Sequence, residues 1–182
     1  METIINKTKI SLKKGDITKQ TTDAIVNAAN SSLMGGGGVD GAIHHAGGPD
    51  ILDQCKRIIE KIGRLPTGQA AITSGGDMQT KYVIHTVGPI WDGGKNNEPR
   101  LLASAYRESL KGALEINVKT VSFPSISTGI YGYPVKQAAV VALKTVSDFV
   151  KTNESLEEIV FVLFDNPTYD AYAQALKSLT QP

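Results

Sequence analysis

The sequence predicts an α/β fold: a three-layer α/β/α sandwich with a mixed, largely parallel sheet. Short apolar runs typical of buried strands alternate with longer segments whose apolar residues recur at helical spacing. This alternation is typical of parallel sheets covered by helices on both faces. The chain of 182 residues has the length of one ordinary domain, and no linker-like stretch, low-complexity tract or internal repeat interrupts it. We therefore expect a single domain over residues 1–182.

The first half of the chain alternates strands with helices. Gly47 and Gly48 interrupt the first helical pattern ahead of Pro49, and Gly63 supplies a stop for the second. Turn-forming residues at 74–77 separate the last two strands of this half. The predicted elements are strands at Ile4–Leu12 and Ala24–Ala28, a helix from Val39 or Asp40 to Gly47, a helix at Asp50–Ile62, and strands at Ala70–Thr73 and Tyr82–Val87.

The second half continues the alternation after a polar loop rich in glycine and asparagine at Gly88–Pro99. A second glycine-bearing loop, Pro124–Tyr133, joins a strand to a helix. In such sheets ligands bind beyond the carboxyl ends of the strands, so we expect both glycine-bearing loops at that edge. The predicted elements are a helix at Leu101–Glu115, a strand at Thr120–Phe123, a helix at Val135–Val150, a strand at Ile159–Phe164 and a helix at Thr168–Leu179.

Composition excludes several classes of protein. With 41% hydrophobic and 20% charged residues, the chain is not of the disordered type. Its longest apolar run, Ile159–Phe164, is too short to cross a bilayer, and the N-terminus lacks the apolar stretch of a secretory signal. A formal net charge of +1 argues against nonspecific nucleic-acid binding. The single cysteine, Cys55, has no disulfide partner, and no Cys/His cluster has metal-ligand spacing, so we expect a cytoplasmic protein without a metal or cofactor.

The first glycine-bearing loop follows the strand at Ala24–Ala28 and contains Gly35–Gly38. Consecutive glycines let the backbone approach a ligand closely, and a helix start after them offers free N–H groups to a phosphate. A flexible turn with Asp40 as an ordinary helix cap is the alternative. The loop does not fit a dinucleotide fingerprint, because about seven residues separate the strand from Gly36. Nor does it fit a P-loop, because no Lys followed by Ser or Thr comes after the glycines.

Four polar residues, Asn27, Asn30, Asp40 and His44, lie on either side of the glycine run. Asn27 and Asn30 each either contact a ligand or satisfy the backbone of the loop. Asn30 lies nearer the crest of the loop, and its amide can both donate to and accept from a sugar hydroxyl. His44 follows Asp40 by one helical turn, so the two side chains share a helix face.

The second glycine-bearing loop combines small hydroxyl residues with glycines, a composition that suits a diphosphate. The pattern Ser125-x-Ser127-x-Gly129 nearly matches a nucleophile elbow. The order Ser, acid, His cannot be completed, however, because no histidine follows His85. Ser127 is therefore not expected to be a nucleophile. Tyr131 either packs within the loop or covers a bound ribose.

Two further positions fit a nucleotide. Asp16 follows the first strand, where it either accepts a hydrogen bond from an exocyclic amine such as that of adenine or caps a turn. Phe164, at the end of the last strand, either offers a stacking face to a base or packs in the core. Both are expected at the same sheet edge as the glycine-bearing loops.

Together these segments resemble the macrodomain family. The run at 35–44 is similar in particular to the MacroD-type branch of ADP-ribosylhydrolases, close to the bacterial O-acetyl-ADP-ribose deacetylases. The resemblance covers almost the whole chain, although His45 stands where this branch commonly has Arg. The motifs that carry it are Gly-Asp-Ile-Thr at 15–18, Val-Asn-Ala-Ala-Asn at 26–30, Gly-Gly-Gly-Gly-Val-Asp-Gly-Ala-Ile-His at 35–44, His-Thr-Val-Gly-Pro at 85–89 and Ser-Thr-Gly-Ile-Tyr-Gly-Tyr-Pro at 127–134.

The resemblance implies that ADP-ribose binds across the edge of the sheet. The adenine is expected beside Asp16, Ile17 and Phe164, the diphosphate between the two glycine-bearing loops, and the distal ribose at the other end. The predicted substrate-binding residues are Asp16, Ile17, Asn27, Gly37, Gly38, Val39, Ser127, Thr128, Gly129, Ile130, Tyr131 and Phe164, and the predicted catalytic residues are Asp40, Asn30 and Tyr131.

The implied activity is hydrolysis of mono-ADP-ribose esters on acidic side chains of proteins, and of O-acetyl-ADP-ribose. Water attacks the anomeric or the acyl carbon, and the first route needs a positioned water more than a strong nucleophile. Asp40 then orients or deprotonates that water or stabilises positive charge, or else the ligand's phosphate holds the water and Asp40 positions the ribose. The alternatives are a non-catalytic ADP-ribose reader with the same fold and an RNA-binding module, against which the net charge counts.

Overall fold

The computed structural model describes residues 1–182 and contains one seven-stranded sheet. The five inner strands pair in parallel, whereas the two edge strands are antiparallel to their neighbours. This confirms the predicted mixed, largely parallel sheet. The strands lie in the order β1-β2-β7-β6-β3-β5-β4 and span Glu2–Ile5 (β1), Thr8–Lys14 (β2), Ala24–Ala29 (β3), Ala70–Ser74 (β4), Tyr82–Val87 (β5), Thr120–Phe123 (β6) and Glu158–Leu163 (β7).

Helices cover both faces of the sheet and confirm the predicted three layers. The side chains of β3 alternate between the two cores, with Val26 in the larger one and Ile25 in the smaller one. The larger core packs under α3, α4 and α5, and the smaller one under α1 and α2. None of the helices combines the length and apolar character that a membrane span requires. The helices are Gly38–Gly47 (α1), Pro49–Ile62 (α2), Glu98–Glu115 (α3), Val135–Lys151 (α4) and Asn166–Thr180 (α5).

Two predicted strand boundaries were wrong. The segment Ile4–Leu12 is not one strand, because the chain turns at Asn6 and forms the antiparallel hairpin β1–β2. Asn6 has a φ of 56°, a left-handed conformation that asparagine adopts at low cost. At the other end of the chain, β7 stops at Leu163, so Phe164 lies beyond the strand.

Helices α1 and α2 begin at Gly38 and Pro49, within two residues of their predicted starts, whereas α3 and α5 begin two or three residues early. Helix α3 starts at Glu98 rather than Leu101, and α5 starts at Asn166 rather than Thr168. In each case a proline, Pro99 or Pro167, occupies the first turn. Proline is tolerated there because the N–H that it lacks would have no partner within the helix.

The five parallel strands end at one edge of the sheet, so the loops that follow them all begin at that edge. The residues that directly follow β2, β3, β5, β6 and β7 are Gly15, Asn30, Gly88, Pro124 and Phe164. Both glycine-bearing loops therefore lie at the carboxyl edge, as the topology predicts.

Helix α1 approaches the glycine run closely at Gly41. A Cβ atom at Gly41 would lie 2.4 Å from the carbonyl oxygen of Gly36, a backbone atom that cannot rotate aside. We expect Gly41→Ala to push α1 away from the loop and to lower the free energy of unfolding by about 1–3 kcal/mol, as measured by denaturant unfolding. Gly37→Ala is the matched control, since a Cβ there would meet only Ile130 Cδ1 at 3.6 Å. Equal stability of the two variants would contradict the expectation.

Candidate functional site

A cleft runs along the carboxyl edge of the sheet between the two glycine-bearing loops. It consists of two adjoining cavities of about 160 and 440 Å³, which we call the inner and the outer chamber. Asn30, Asp40 and Tyr131 line the inner chamber, and Asp16 and Phe164 line the outer one. The chambers meet at a waist formed by four shared residues, Gly38, Val39, Ser125 and Gly129. The cleft therefore has room for an elongated ligand whose two ends differ in chemistry.

The cleft brings together every predicted site residue except Asn27. Gly37, Ser127, Ile130 and Tyr131 line the inner chamber, while Ile17 and Thr128 line the outer one. The sequence interpretation did not assign other lining residues to the site, because glycine, serine, aspartate and threonine at strand ends and helix starts are equally common as turn and cap residues. Those residues include Gly88, Ser125, Asp165 and Thr168.

One side of the waist is the N-terminus of α1. Gly35 has a φ of 92° and Gly38 a φ of 59°, values in the left-handed region that favours glycine. With these backbone angles the loop ends at Gly37, which is the N-cap of α1. As at every helix start, the first N–H groups of α1 have no hydrogen-bond partners within the helix. These N–H groups and the positive end of the helix dipole suit an anion.

The loop that forms the other side of the waist with Ser125 and Gly129 is strained between them, at Ser127. Its φ is 68°, an uncommon conformation for a residue with a side chain. Ser127 is only 6% exposed, and its Oγ has no hydrogen-bond partner. Strain and an unsatisfied buried hydroxyl both mark a place where a ligand completes the structure. The absence of a base bonded to Ser127 Oγ agrees with the prediction that it is not a nucleophile.

Two buried tyrosines hold this loop from below. The hydroxyl of Tyr106, in α3, accepts a hydrogen bond from the N–H of Ile126 at 3.1 Å. The hydroxyl of Tyr172, in α5, donates to Ser125 Oγ at 3.0 Å, and Thr128 Oγ1 donates to the same atom at 2.8 Å. Burial raises the pKa of both tyrosines, which keeps them neutral. Nothing in the sequence pattern of the two helices revealed this support.

Asp40 lies at the floor of the inner chamber and is 5% exposed. Its Oδ1 accepts a hydrogen bond from Asn27 Nδ2 at 2.8 Å, and His44 Nε2 lies 3.5 Å from the same oxygen. Burial raises the pKa of Asp40, although the hydrogen bond from Asn27 and the charge of His44 oppose this shift. A Cβ at Gly36 would lie 3.3 Å from Asp40 Oδ2 and 3.5 Å from Asn30 Nδ2. The carboxylate and the amide therefore converge beside Gly36.

The two asparagines occupy different places. Asn30 lines the inner chamber and also holds the loop: its amide donates to the carbonyl of Gly35 at 2.9 Å, and its Oδ1 accepts from Ser32. Asn27 is fully buried and does not line either chamber. The prediction of Asn27 as a ligand-contacting residue is therefore corrected, because its side chain lies behind Asp40 and contacts it.

At the outer chamber, Asp16 caps a turn and also faces the cleft. Its carboxylate accepts hydrogen bonds from the N–H and the hydroxyl of Thr18 at 2.9 and 2.7 Å, and mainly that hydroxyl lowers the pKa of Asp16. Phe164 is 85% exposed, so the core alternative for this ring was wrong. Ile130 is 86% exposed at the edge of the inner chamber, opposite Gly37. Exposed apolar side chains at both chambers leave surface for a ligand to cover.

A cluster that the sequence spacing did not reveal lies behind Asp40. The ligating atoms of His44, Cys55 and His85, from α1, α2 and β5, lie within 4.8 Å of one another. Burial raises the pKa of the Cys55 thiol to about 11, so the thiol stays protonated. A metal-bound histidine normally donates its second ring N–H, whereas the Nδ1 atom of His85 faces the amide nitrogen of Asn27 at 3.1 Å. The hydrogen-bond directions in this cluster therefore do not fit a metal site.

Comparison with known proteins places this geometry in a family. The family model for the Macro domain matches residues 26–142. The chain belongs to the macrodomain family. A macro domain-containing protein from Caldanaerobacter subterraneus is 60% identical over 95% of this chain and 98% of its own length. The O-acetyl-ADP-ribose deacetylase of Escherichia coli is 51% identical over 93% of this chain and 96% of its own length.

Solved macrodomains also share the fold closely. A mutant of the Oceanobacillus iheyensis macrodomain with ADPR superimposes with a TM-score of 0.94 at 46% identity, covering 98% of this chain and 97% of that one. The Trypanosoma brucei macrodomain in complex with ADP-ribose gives a TM-score of 0.84 at 36% identity, over 92% of this chain and 68% of that one. The predicted family resemblance is thereby confirmed.

The buried carboxylate of Asp40 predicts a gain of stability in Asp40→Asn. Folding raises the pKa of Asp40. The folded state therefore loses stability as the pH rises from the pKa of this carboxyl in the unfolded chain to its pKa in the folded protein. At neutral pH that loss of stability is complete. Removing the charge relieves that loss, and we expect the melting temperature at neutral pH to rise by about 2–4 °C. Thermal unfolding monitored by circular dichroism measures it. The difference from the wild type should shrink towards about pH 4, and a lower melting temperature of Asp40→Asn at neutral pH would contradict this account.

Proposed function

We propose that this macrodomain is an ADP-ribose-binding hydrolase that removes mono-ADP-ribose from acidic side chains of proteins and deacetylates O-acetyl-ADP-ribose. One observation carries the proposal: a buried carboxylate, Asp40, and an amide, Asn30, converge at the inner end of a cleft whose waist suits a diphosphate. The deacetylase relatives and the ADP-ribose complexes of related macrodomains support it. The modified proteins and a cytoplasmic location stay predictions.

The proposed ligand lies along the cleft with its adenine in the outer chamber. Asp16 accepts from the exocyclic amine, and Ile17 and Phe164 contact the ring. The diphosphate occupies the waist. On one side it meets the N–H groups that follow Gly37, and on the other side it meets the strained loop, where it supplies a partner for Ser127 Oγ. The residues in these roles are Gly38, Val39 and Gly129 of the waist and, beside it, Gly37, Ser127, Thr128 and Ile130.

The distal ribose then lies in the inner chamber, between Asn30, Asp40 and Tyr131. Asn30 keeps one amide hydrogen after its bond to Gly35, and this hydrogen is available to a ribose hydroxyl. Asp40 has Oδ1 engaged by Asn27, which leaves Oδ2 for the ribose or for the attacking water. Tyr131 packs against the sugar.

Hydrolysis in this arrangement requires a positioned water rather than a protein nucleophile. In attack at the anomeric carbon, the ester oxygen leaves as a carboxylate and the water proton passes to Asp40 or to the ligand's phosphate. In attack at the acyl carbon, the ribose oxygen is the leaving group and takes up a proton. In either route Asp40 holds the ribose and the attacking water in the positions that the reaction requires.

The buried charge of Asp40 favours the enzyme over a reader that only binds. Ionising a buried carboxylate costs stability, and a protein that merely holds the ribose could use a neutral amide there instead. An ionised carboxylate at the anomeric carbon is useful when positive charge develops or a proton leaves.

The two-chamber cleft predicts that ADP-ribose binds well ahead of AMP and of NAD. AMP lacks the second phosphate and the distal ribose, so it leaves the inner chamber empty and half of the waist unused. The nicotinamide of NAD occupies the position where the inner chamber encloses the anomeric carbon. Isothermal titration calorimetry measures the three affinities. Equal affinities for AMP and ADP-ribose would contradict the proposed placement.

Asp40→Ala is expected to abolish most of the hydrolysis while sparing binding. Loss of a positioned acid–base group lowers kcat by roughly 10²-fold or more, whereas the waist that holds the diphosphate remains. The assay follows label release from a protein mono-ADP-ribosylated on Glu or Asp, and calorimetry measures the Kd for ADP-ribose. Asp148→Ala is the control, because this aspartate lies on α4 outside the cleft and forms an exposed pair with Lys144.

The outcomes of that assay separate the two functions. Hydrolysis by a folded Asp40→Ala variant at the wild-type rate would remove Asp40 from the mechanism. A wild-type protein that binds ADP-ribose but cleaves none of its esters would be a reader.

A further inference from the structure

A chain of hydrogen bonds runs behind the inner chamber from the edge strand β4 to Asp40. Thr73 Oγ1 lies 2.9 Å from His85 Nε2. His85 Nδ1 lies 3.1 Å from Asn27 Nδ2, which donates to Asp40 Oδ1 at 2.8 Å. Thr73, His85 and Asn27 are buried, and none of them lines the cleft. The chain therefore crosses β4, β5 and β3 before it reaches the predicted catalytic residue in α1.

The two ends of this chain fix the direction of every hydrogen bond in it. The ionised Asp40 is only an acceptor, so the amide nitrogen of Asn27 must face it. The second hydrogen on that nitrogen then points to His85 Nδ1, which must accept. A neutral His85 therefore carries its proton on Nε2 and donates to Thr73 Oγ1. The hydroxyl of Thr73 in turn donates to the carbonyl of Ser74 at 2.9 Å.

His85 is suited to this role because it stays neutral. It is fully buried, and burial is the main cause that lowers its pKa to about 3. A charged ring would place an N–H on Nδ1, opposite the donor of Asn27. Neutrality alone leaves either nitrogen free to carry the proton. Because the hydroxyl of Thr73 donates its hydrogen to the carbonyl of Ser74, its oxygen can only accept from His85, which favours the proton on Nε2.

Asn27 depends on this arrangement, because its other amide atom has no partner. Asn27 Oδ1 is buried and accepts no hydrogen bond, so nothing on that side holds the amide in place. If His85 carried its proton on Nδ1, two donors would meet, and the amide would turn its oxygen towards the carboxylate of Asp40. Two acceptors would then repel, and Asp40 would lose its one hydrogen bond within the protein.

We propose that Thr73 and His85 are positioning residues for the hydrolase: they select the histidine tautomer that makes Asn27 donate to Asp40, and so they orient the Asp40 carboxylate in the cleft. This inference rests on the proposed hydrolase function. It goes beyond that function because it assigns a role to a hydroxyl on the edge strand, separated from the cleft by two other side chains.

The test is a set of substitutions that remove or keep single hydroxyls. Thr73→Val removes the close acceptor of His85 Nε2 without changing the shape of the side chain, and it leaves only the weak acceptor Cys55 Sγ at 4.0 Å. Thr73→Ser restores the hydroxyl. Thr86→Val is the matched control, because Thr86 is a buried strand threonine of β5 whose hydroxyl donates to the carbonyl of Gln69 at 2.9 Å, outside the chain. His85→Leu is a second variant that removes the ring.

We expect Thr73→Val and His85→Leu to lower kcat by about tenfold or more while the Kd for ADP-ribose stays unchanged. Thr73→Ser and Thr86→Val should keep the wild-type kcat. The acid limb of the pH–kcat profile of Thr73→Val should move to higher pH, because the bond from Asn27 lowers the pKa of Asp40. The titratable groups beside Asp40, namely His44, Cys55 and His85, are unchanged in this variant. Equal losses of kcat in Thr73→Val and Thr86→Val would overturn the proposal.

A measurement independent of activity separates this inference from the proposed function. The chain contains three histidines, so nitrogen-15 NMR of the labelled rings resolves each one. We expect His85 of the wild type to show a proton on Nε2 throughout about pH 5 to 8, and Thr73→Val to show it on Nδ1. A wild-type His85 protonated on Nδ1 would overturn the inference even if the enzyme is active. An inactive wild type with the expected tautomer would count against the hydrolase and not against the chain of hydrogen bonds.

Discussion

The parallel pairing of β3 with both β5 and β6 is the constraint on which the site depends. Since the three strands run in the same direction, the loops that follow them meet at one edge of the sheet. The loop after β3 brings the glycine run and α1, the loop after β6 brings Ser127, and Gly88 after β5 packs against Ser127. A Cβ at Gly88 would lie 2.1 Å from Ser127 Oγ, which shows how tightly these loops fit. The waist of the cleft is therefore a product of strand order and not of either loop alone.

The same pairing places polar side chains inside the smaller core. Asn27 and His85 are directly opposite each other in the register of β3 and β5, and both point to the face covered by α1 and α2. Apolar residues such as Ile25 and Val83 fill the rest of that face. Two polar residues in such surroundings are costly unless they bond to each other and to a third group, and here the third group is the carboxylate at the start of α1.

The sequence predicted the fold and most of the cleft, because periodicity and glycine position are local signals. The runs at Tyr82–Val87 and Thr120–Phe123 matched the observed strands, whereas the hairpin at Asn6 was missed because a single asparagine in a polar–apolar pattern does not stand out. Asn27 was assigned to the ligand because it lies near the carboxyl end of the strand that Asn30 follows. Its real partner, His85, is distant in sequence, and only the register of β3 and β5 brings the two together. Contacts of this kind, like the tyrosines under Ser125, are tertiary and leave no local pattern.

Three of the four buried side-chain atoms without a hydrogen-bond partner belong to a residue that lines the cleft or to residues that contact Asp40. They are Ser127 Oγ at the inner chamber, and Asn27 Oδ1 and His44 Nε2 behind Asp40; the fourth is Tyr133 Oη. Buried polar groups are nearly always paired, so these unpaired atoms cost stability at the site. Ser127 Oγ and Asn27 Oδ1 lack hydrogen-bond partners for different reasons. Ser127 Oγ packs against Gly88 at the inner chamber, beside the waist through which the phosphate of the proposed ligand would approach it. Asn27 lines neither chamber. Its amide must point one hydrogen to Asp40 and the other to His85, and this orientation leaves Oδ1 without a partner. The unpaired oxygen is therefore a consequence of the hydrogen bond that orients the Asp40 carboxylate.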